Sequence, residues 1–438
     1  MRANDLSRFW LPFTPNRDFR AHPRMLARAE GMYFYDEADR ALLDCCSGLW
    51  CVNAGHGRKE IADAIAQSAR KLDFAPAFQF AHSPAFELAG RIARLAPDGL
   101  DHVFFVNSGS EAVDAALKLA RAYHQKKGEG GRFRLVGREK AYHGVGFGGI
   151  SVGGIASNRR AYGPLLPGTD DHLPLPYDET MRFTRGEPGT GAHYADALEK
   201  LVALHGAETI AAVIVEPVVG SAGVFAPPKD YLKRLRTLCD RYAILLVFDE
   251  VITGFGRMGA SFAAERYGVV PDIITFAKGV TNGAVPMGGI VVKNEIHDAF
   301  MGDQPAHTIE FFHGHTYSGH PLACAAGLAT LDLYRDENLF ERGRKMEPVL
   351  EEAVHALKNA PRVVDIRNCG MAAGIDIEPD ASAPGRRGYD AMRIAFAEEN
   401  LVIRVSGDTI ALAPALIATE TDIARMADGV RATLARLT

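Results

Sequence analysis

Apolar positions recur along this chain with two periods, and the alternation between them outlines the fold. After a short polar lead, GMYFYDEADRALLD reads as two strands around a turn at Asp36 to Arg40. Helical spacing follows near 58–73 and 83–96. HVFFV (102–106) then runs into a helix from Ser110, whose Ala112, Ala116, Leu119, Ala120 and Tyr123 share one face. Short β-branched runs recur at 132–137, 210–216, 243–250 and 271–276, with a helix at 229–242 crossing back between the second and third of these. Such runs, separated by helices, predict an α/β protein with a mostly parallel sheet covered on both faces. From about 320 the pattern changes to a long helix, a second helix, strands at 362–367, 371–377 and 401–413, and a closing helix, which predicts a smaller α+β lobe. The stretch 178–192, rich in Gly, Thr and Arg, reads as a surface loop.

Composition narrows the classes without choosing among them. A chain of 438 residues is too long for one simple core, and 47% hydrophobic with 24% charged content fits an ordinary soluble globular protein. A formal charge of −5 leaves no basic footprint for nucleic acid or an anionic membrane. No apolar run approaches the ~18 residues of a membrane span, and MRANDLSRFWLPF has neither a long apolar core nor a small-residue cleavage site, so no secretory leader is expected. The six cysteines form no CxxC pair, which predicts reduced, buried thiols in a cytoplasmic protein.

Three apparent motifs fail on context. GVGFGG (144–149) and GFGRMG (254–259) both satisfy GxGxxG, but that fingerprint must open a helix directly after a strand. The first runs into ISVGG, poor in helix formers, and the second is separated from its strand by DEVIT. GISVG (149–153) matches the GxSxG elbow of serine hydrolases, yet its flanks are glycine-rich and no helix is expected after it. His313, His315 and His320 lack a carboxylate or cysteine at a ligand spacing, so they are read as hydrogen-bonding partners and no metal is expected.

Three other features converge. Asn107-Ser108-Gly109-Ser110-Glu111 lies between a strand and a helix, where small residues and free first-turn N–H groups suit a phosphate, although a plain N-cap gives the same pattern. Asp249-Glu250 ends the apolar strand AILLVF, where a carboxylate needs a cation or donor, or else caps a loop. Lys278, just past ITFA, gains nucleophilicity if desolvated and is otherwise a surface lysine. Together they make one pyridoxal 5'-phosphate (PLP) site. The lysine forms the Schiff base, the helix N-terminus takes the phosphate, and the aspartate keeps the pyridinium protonated.

At these residues the chain resembles the class III, or ω-, aminotransferases. The matching segments are SGSEAVDAALKLAR, AYHG (141–144), VEPVVGSAGV (215–224), LVFDEVITGFGRMG (246–259), FAKGVTNGAVPMGG (276–289) and HGHTYSGHPLACAAG (313–327). FWLPFTPNR (9–17), SGLWCVNAGH (47–56) and KLDFAPAFQF (71–80) bring it closest to the β-alanine:pyruvate transaminases within that family. The resemblance implies PLP fold type I, with 1–57 as the N-terminal part of a small domain, 58–319 as the large PLP-binding domain and 320–438 as the rest of the small domain. It implies an amine or ω-amino acid donor, pyruvate as acceptor, and a homodimer or dimer of dimers.

Carried over by position, the resemblance makes Lys278 the Schiff-base lysine and Asp249 the pyridinium partner, with Ser108, Gly109 and Ser110 as the phosphate cradle. Tyr142 is implied to stack on one ring face and Val251 to pack on the other, with His143 supporting the tyrosine and Glu216 nearby. Thr316 is implied to reach the phosphate of the neighbouring subunit. Trp50, Phe78, Tyr142, Ser221, Ile252 and Arg404 are implied to line the substrate pocket, with Trp10, Phe13 and His315 contributed across the interface. His315 stands where the family has Tyr or Phe. Arg257 is read as structural, paired with a neighbouring acid, and Arg404 has a surface pairing with Asp408 as its alternative role. Racemisation or decarboxylation on the same fold, and a non-catalytic binding protein, are the competing functions; the intact Lys278, Asp249 and Tyr142 argue against the last.

Overall fold

A computed structural model describes residues 6–302 and 304–437; Met1–Asp5, where the leader reading begins, and Asp303 and Thr438 lie outside the described residues. The first sheet holds β1 (Arg28–Glu30), β2 (Tyr33–Tyr35) and β3 (Ala41–Asp44), joined in parallel by a strand from far along the chain, Leu401–Val402. The central sheet contains β4 (Leu100–Val106), β5 (Arg134–Arg138), β6 (His172–Leu173), β7 (Ile210–Val215), β8 (Leu245–Asp249), β9 (Ile273–Phe276) and β10 (Gly288–Lys293), in the order β4-β10-β9-β8-β7-β5-β6. A third sheet holds β11 (Val363–Asn368), β12 (Ala373–Ile377) and, with β13 denoting Leu401–Val402 in chain order, β14 (Arg404–Ser406) and β15 (Thr409–Leu412), all antiparallel.

Every residue of β7, β8 and β9 is buried, as their continuous apolar sequences require of strands covered on both faces. One face is covered by the helix Gly109–Lys126, which buries Ala112, Val113, Ala116, Leu119 and Tyr123 over β7, β9 and β10. Elsewhere the helix Pro321–Asp336 packs against Lys59–Lys71 and Ser83–Ala93, and the latter lies on β4.

Only β10 runs against its neighbours, pairing antiparallel with both β4 and β9. Two reversals cancel, so β4, β5, β7, β8 and β9 point the same way. Their carboxyl ends, which lead into Ser108, Tyr142, Glu216, Asp249 and Lys278, therefore open on one edge of the sheet, where open α/β sheets bind ligands.

The periodicity reading contains no strand at 288–293, because it opens on two glycines. Both glycines are steric requirements. A Cβ on Gly288 would lie 2.6 Å from the Ser108 carbonyl oxygen, and one on Gly289 would lie 2.5 Å from the Phe276 ring. A second difference is the helix Phe147–Val152, formed where the glycine-rich sequence predicts none. It does not revive the hydrolase motif. Ser151 is inside the helix, buried, donating to the Phe147 carbonyl at 2.5 Å and accepting from the Leu166 N–H at 3.1 Å.

Candidate active site

The helix Gly109–Lys126 begins with a reciprocal cap. Ser108 Oγ accepts from the Glu111 N–H at 3.2 Å, and the Asn107 N–H donates to Glu111 Oε2 at 2.6 Å. The Ser108 side chain is thus spent on the helix, and the anion-binding capacity of this end resides in first-turn N–H groups and in Ser110. Glycines set the spacing. A Cβ on Gly109 would meet Val251 Cγ1 at 2.9 Å, and Gly144, at φ 92°, lies so close that its Cβ would meet Ser110 Oγ at 2.5 Å. Ser110 Oγ also accepts from the Val145 N–H at 3.0 Å, tying the loop after β5 to the cradle.

Asp249, at the end of β8, is 4% exposed and accepts three hydrogen bonds: from His143 Nδ1 at 2.7 Å, Thr275 Oγ1 at 2.9 Å and the Val251 N–H at 3.2 Å. His143 therefore holds the aspartate, not the tyrosine beside it as the resemblance implies. With Nδ1 donating, its Nε2 is buried without a partner among the described residues. Thr275 escapes the motif reading, although a lone hydroxyl inside the run IITF is itself a signal of a buried acceptor.

The neighbouring carboxylates do different work. Glu216 Oε1 accepts from the Tyr142 N–H and Oε2 from the Gly220 N–H, each at 2.9 Å, so this acid fixes the backbone of two loops. Burial pushes its carboxyl above the usual range. Glu250 turns away from Asp249 and accepts from the Ala263 N–H (2.5 Å), the Ala264 N–H (2.8 Å) and Thr253 Oγ1 (2.9 Å). Its burial raises the carboxyl to about 7.

Lys278 follows β9 in a left-handed conformation, φ 48°, which a non-glycine residue adopts at some cost. Desolvation lowers its ammonium below the ordinary lysine range, against the opposing pull of Cys51, Asp249 and Glu216. Burial likewise raises the Tyr142 phenol, and the nearby Arg404 charge opposes that rise. Arg404 pairs through its backbone with Ala411 across β14 and β15, but its guanidinium makes no hydrogen bond or ion pair with any described residue. Asp408, its alternative partner, is occupied by the N–H groups of Gly385 and Gly388, at 2.6 and 2.9 Å.

Trp50 is 3% exposed at φ 64°, packed with Val218, Val224 and Ile252, and its indole N–H is buried without a partner. Arg257 is fully buried, but no acid among the described residues pairs with it. Its guanidinium donates to the carbonyls of Met371 and Pro414, to Ser47 Oγ and to Asn53 Oδ1, and desolvation lowers it to about 10. The structural role stands and the partner does not: neutral acceptors replace the expected carboxylate.

Phe78 and Thr316 sit elsewhere, on an exposed surface. Phe78 is 60% exposed, and its ring edge lies 3.4 Å from where a Gly314 Cβ would be, which groups it with the loop carrying His315 and Thr316. Trp10, Phe13, Phe80, Phe86 and Phe312 are also bare, from 68% to 86% exposed.

The class III aminotransferase family model matches residues 15–434. An ω-aminotransferase of Caulobacter vibrioides is 55% identical over 436 residues, spanning 99% of each chain. A β-alanine–pyruvate aminotransferase of Pseudomonas aeruginosa is 46% identical over 428 residues, covering 97% of this chain and 95% of that one. Among solved structures, the ω-transaminase of Pseudomonas jessenii in complex with PMP superposes with a TM-score of 0.91 at 30% identity, over 98% of this chain and 96% of that one. Family-model match, near full-length identity and fold agree: the chain belongs to the class III aminotransferases, PLP-dependent enzymes of fold type I.

Proposed function

We propose that this aminotransferase moves the amino group of β-alanine, or of another ω-amino acid or amine, to pyruvate, giving L-alanine and the matching aldehyde or ketone (malonate semialdehyde from β-alanine). The observation that carries the proposal is an arginine, Arg404, whose guanidinium has no partner among the described residues and which lies near a buried lysine. A guanidinium with no internal acceptor is available to a substrate carboxylate, which its planar fork matches bidentately. Its long stem also allows it to withdraw when an apolar donor enters.

The residues fit PLP. A buried aspartate held by donors suits a protonated ring nitrogen, and the first-turn N–H groups of the helix Gly109–Lys126, with Ser110 among them, suit a phosphate. In this reading Asp249 holds the proton on the ring nitrogen, and His143 and Thr275 hold Asp249. Gly109 and Ser110 take the phosphate, with Ser108 acting through the cap. Tyr142 and Val251 flank the ring, and Glu216 keeps Tyr142 in place through its backbone. Lys278 would attach the cofactor through Nζ and, once displaced, its desolvated amine would take up the proton from the amine-bearing carbon of the substrate, acting as the general base and then the general acid of the transfer. When bound, the protonated pyridine ring supplies the electron sink. Trp50, Ile252 and Tyr142 form the apolar wall of the donor pocket.

Thr316, Trp10, Phe13 and His315 act across a homodimer interface in the same proposal, and Phe78, which the resemblance implies as a pocket residue, joins them because it is exposed beside Gly314. The support is that Thr316, Phe78, Trp10 and Phe13 are all exposed, and that Phe78 lies beside the loop carrying His315 and Thr316. Pairing of β3 with the strand Leu401–Val402 supports grouping residues 1–57 with 320–438 in one lobe. No helix among the described residues is long and apolar enough to cross a membrane, and the six cysteines are all free, which supports a reducing, cytoplasmic setting. A donor panel against pyruvate and 2-oxoglutarate, reading alanine and glutamate, tests the proposal. Glutamate formed faster than alanine with every donor would refute the choice of acceptor.

A further inference from the structure

Between the pocket wall and the third sheet lies the turn that follows Glu216. Val219 and Phe225 bridge across it, exchanging backbone hydrogen bonds of 3.0 Å in both directions. Its inner side belongs to the site: Gly220 donates to Glu216, a Cβ on Gly220 would meet Ile252 Cδ1 at 2.7 Å, and Val218 and Val224 pack with Trp50 and Ile252. Its outer side rests on one residue of β11. Arg367 Nε donates to the Gly223 carbonyl at 3.0 Å, and its guanidinium lies 4.1 Å from the centroid of the Phe225 ring.

Arg367 is itself fixed from three directions. It donates to both oxygens of Asp376 on β12, at 2.8 and 2.7 Å, and is paired with Asp365 on its own strand. Asp376 Oδ1 accepts from Thr409 Oγ1 on β15 at 2.6 Å, while Asp365 accepts from the Tyr177 hydroxyl and from the Phe183 N–H. The backbone also approaches closely, since a Cβ on Gly374 would lie 2.2 Å from the Gly223 oxygen. The sheet therefore grips the turn with a charged fork, a ring face and a strand.

We propose that Arg367 is a positioning residue for donor specificity: by holding the Val219–Phe225 turn against the C-terminal sheet, it sets the wall formed by Val218, Val224, Ile252 and Trp50. The proposal rests on the pocket reading above. A lysine at 367 keeps the charge but cannot give Nε to Gly223 and a fork to Asp376 together. A leucine at 225 removes the ring without leaving a buried charge unpaired, so it decides the matter if the first variant fails to fold.

The test uses Arg367→Lys and Phe225→Leu holoenzymes with a small alkylamine and with 1-phenylethylamine, each against pyruvate. The chain has two tryptophans, Trp10 and Trp50. In a Trp10→Phe background, Trp50 emission therefore reports the wall independently of turnover. The KM for 1-phenylethylamine should rise about fivefold or more, that for the alkylamine less than about twofold, with a shift of the Trp50 emission maximum. Lowered thermal stability with an unchanged KM ratio, or with unmoved Trp50 emission, would make Arg367 merely structural and overturn the proposal. Failure of the wild-type enzyme to aminate pyruvate from any amine would break the donor assignment instead, and the emission arm would still decide Arg367.

Discussion

Two regions of this molecule contrast in how far one chain completes them. Around Asp249 and Glu216 the carboxylates are buried and held by donors of the same chain, and the lysine beside them is desolvated. On the surface bearing Phe78, Phe312 and Thr316, large aromatic rings stand in solvent. A buried carboxylate without partners costs several kcal/mol, so the first region must be finished for the chain to fold. An exposed ring costs far less per residue, so the second can wait for a partner. On the proposed dimer reading, chemistry is built into the subunit and the mouth of the pocket is left to assembly.

The sharpest way to break this contrast is at the buried end. Lys278→Ala should lose multiple turnover by ~10³-fold or more, because both cofactor attachment and proton transfer depend on one amine. The variant should still fold, as measured by circular dichroism, since it removes a buried charge without emptying an acceptor. Turnover near the wild-type rate would show that another group moves the proton.

At the unfinished end, the effect should appear only on mixing. If each site takes Lys278 from one subunit and Thr316 from the other, Lys278→Ala and Thr316→Ala subunits form hybrids with one doubly damaged and one intact site. Random reassociation then makes half the dimers hybrid and restores about a quarter of the sites. Turnover at limiting PLP, before and after mixing, measures it. Simple additivity of the two parent activities would place Thr316 within its own subunit's site.

Arg404 stands between the two regions, unpaired but inside the subunit. Arg404→Ala should raise KM for pyruvate and β-alanine by about 10- to 100-fold, the value of a charged hydrogen bond, while a plain arylalkylamine loses much less in its own half-reaction. Equal losses for both kinds of substrate would remove the carboxylate from the argument.

How much of this could be read from residues alone follows the same division. Strands β7, β8 and β9 are legible because burial on both faces demands continuous apolar runs, and the groups that follow them stand out as polar against that background. Strand β10 is not, since its two glycines answer to the Ser108 carbonyl and the Phe276 ring, contacts that exist only once the sheet is assembled. The same holds for hydrogen-bond partners. His143 lies beside Tyr142 in sequence but bonds to Asp249 across 106 positions, and Arg257 finds carbonyls where charge balance suggests an acid. Local pattern specifies which groups are buried; topology decides whom they meet.

The smallest effect concerns Glu250, buried and hydrogen-bonded like Asp249 but facing the helix Ala263–Tyr267 and not the pocket. Burial raises its carboxyl from the ordinary 4.5 to about 7 in the folded enzyme. As pH rises, the unfolded chain releases this proton near 4.5, while the folded chain keeps it until about 7. The folded state thus binds more protons across that window, and stability must fall as pH increases through it, then level off. Below 4.5 the group is protonated in both states and adds no slope. The loss is about 2–3 kcal/mol per subunit over the window. Glu250→Gln removes it, although the amide opposes its NH₂ to one of the N–H donors and lowers stability by a constant amount at every pH. Glu216, also raised by burial, tilts both proteins equally and cancels in the difference. Urea midpoints of the PLP-loaded enzymes at pH 5 and pH 8 should therefore show wild type losing its advantage over the variant as pH rises. Parallel pH profiles would mean that the three hydrogen bonds keep Glu250 ionised throughout, and that donors, not burial, govern this carboxylate as well.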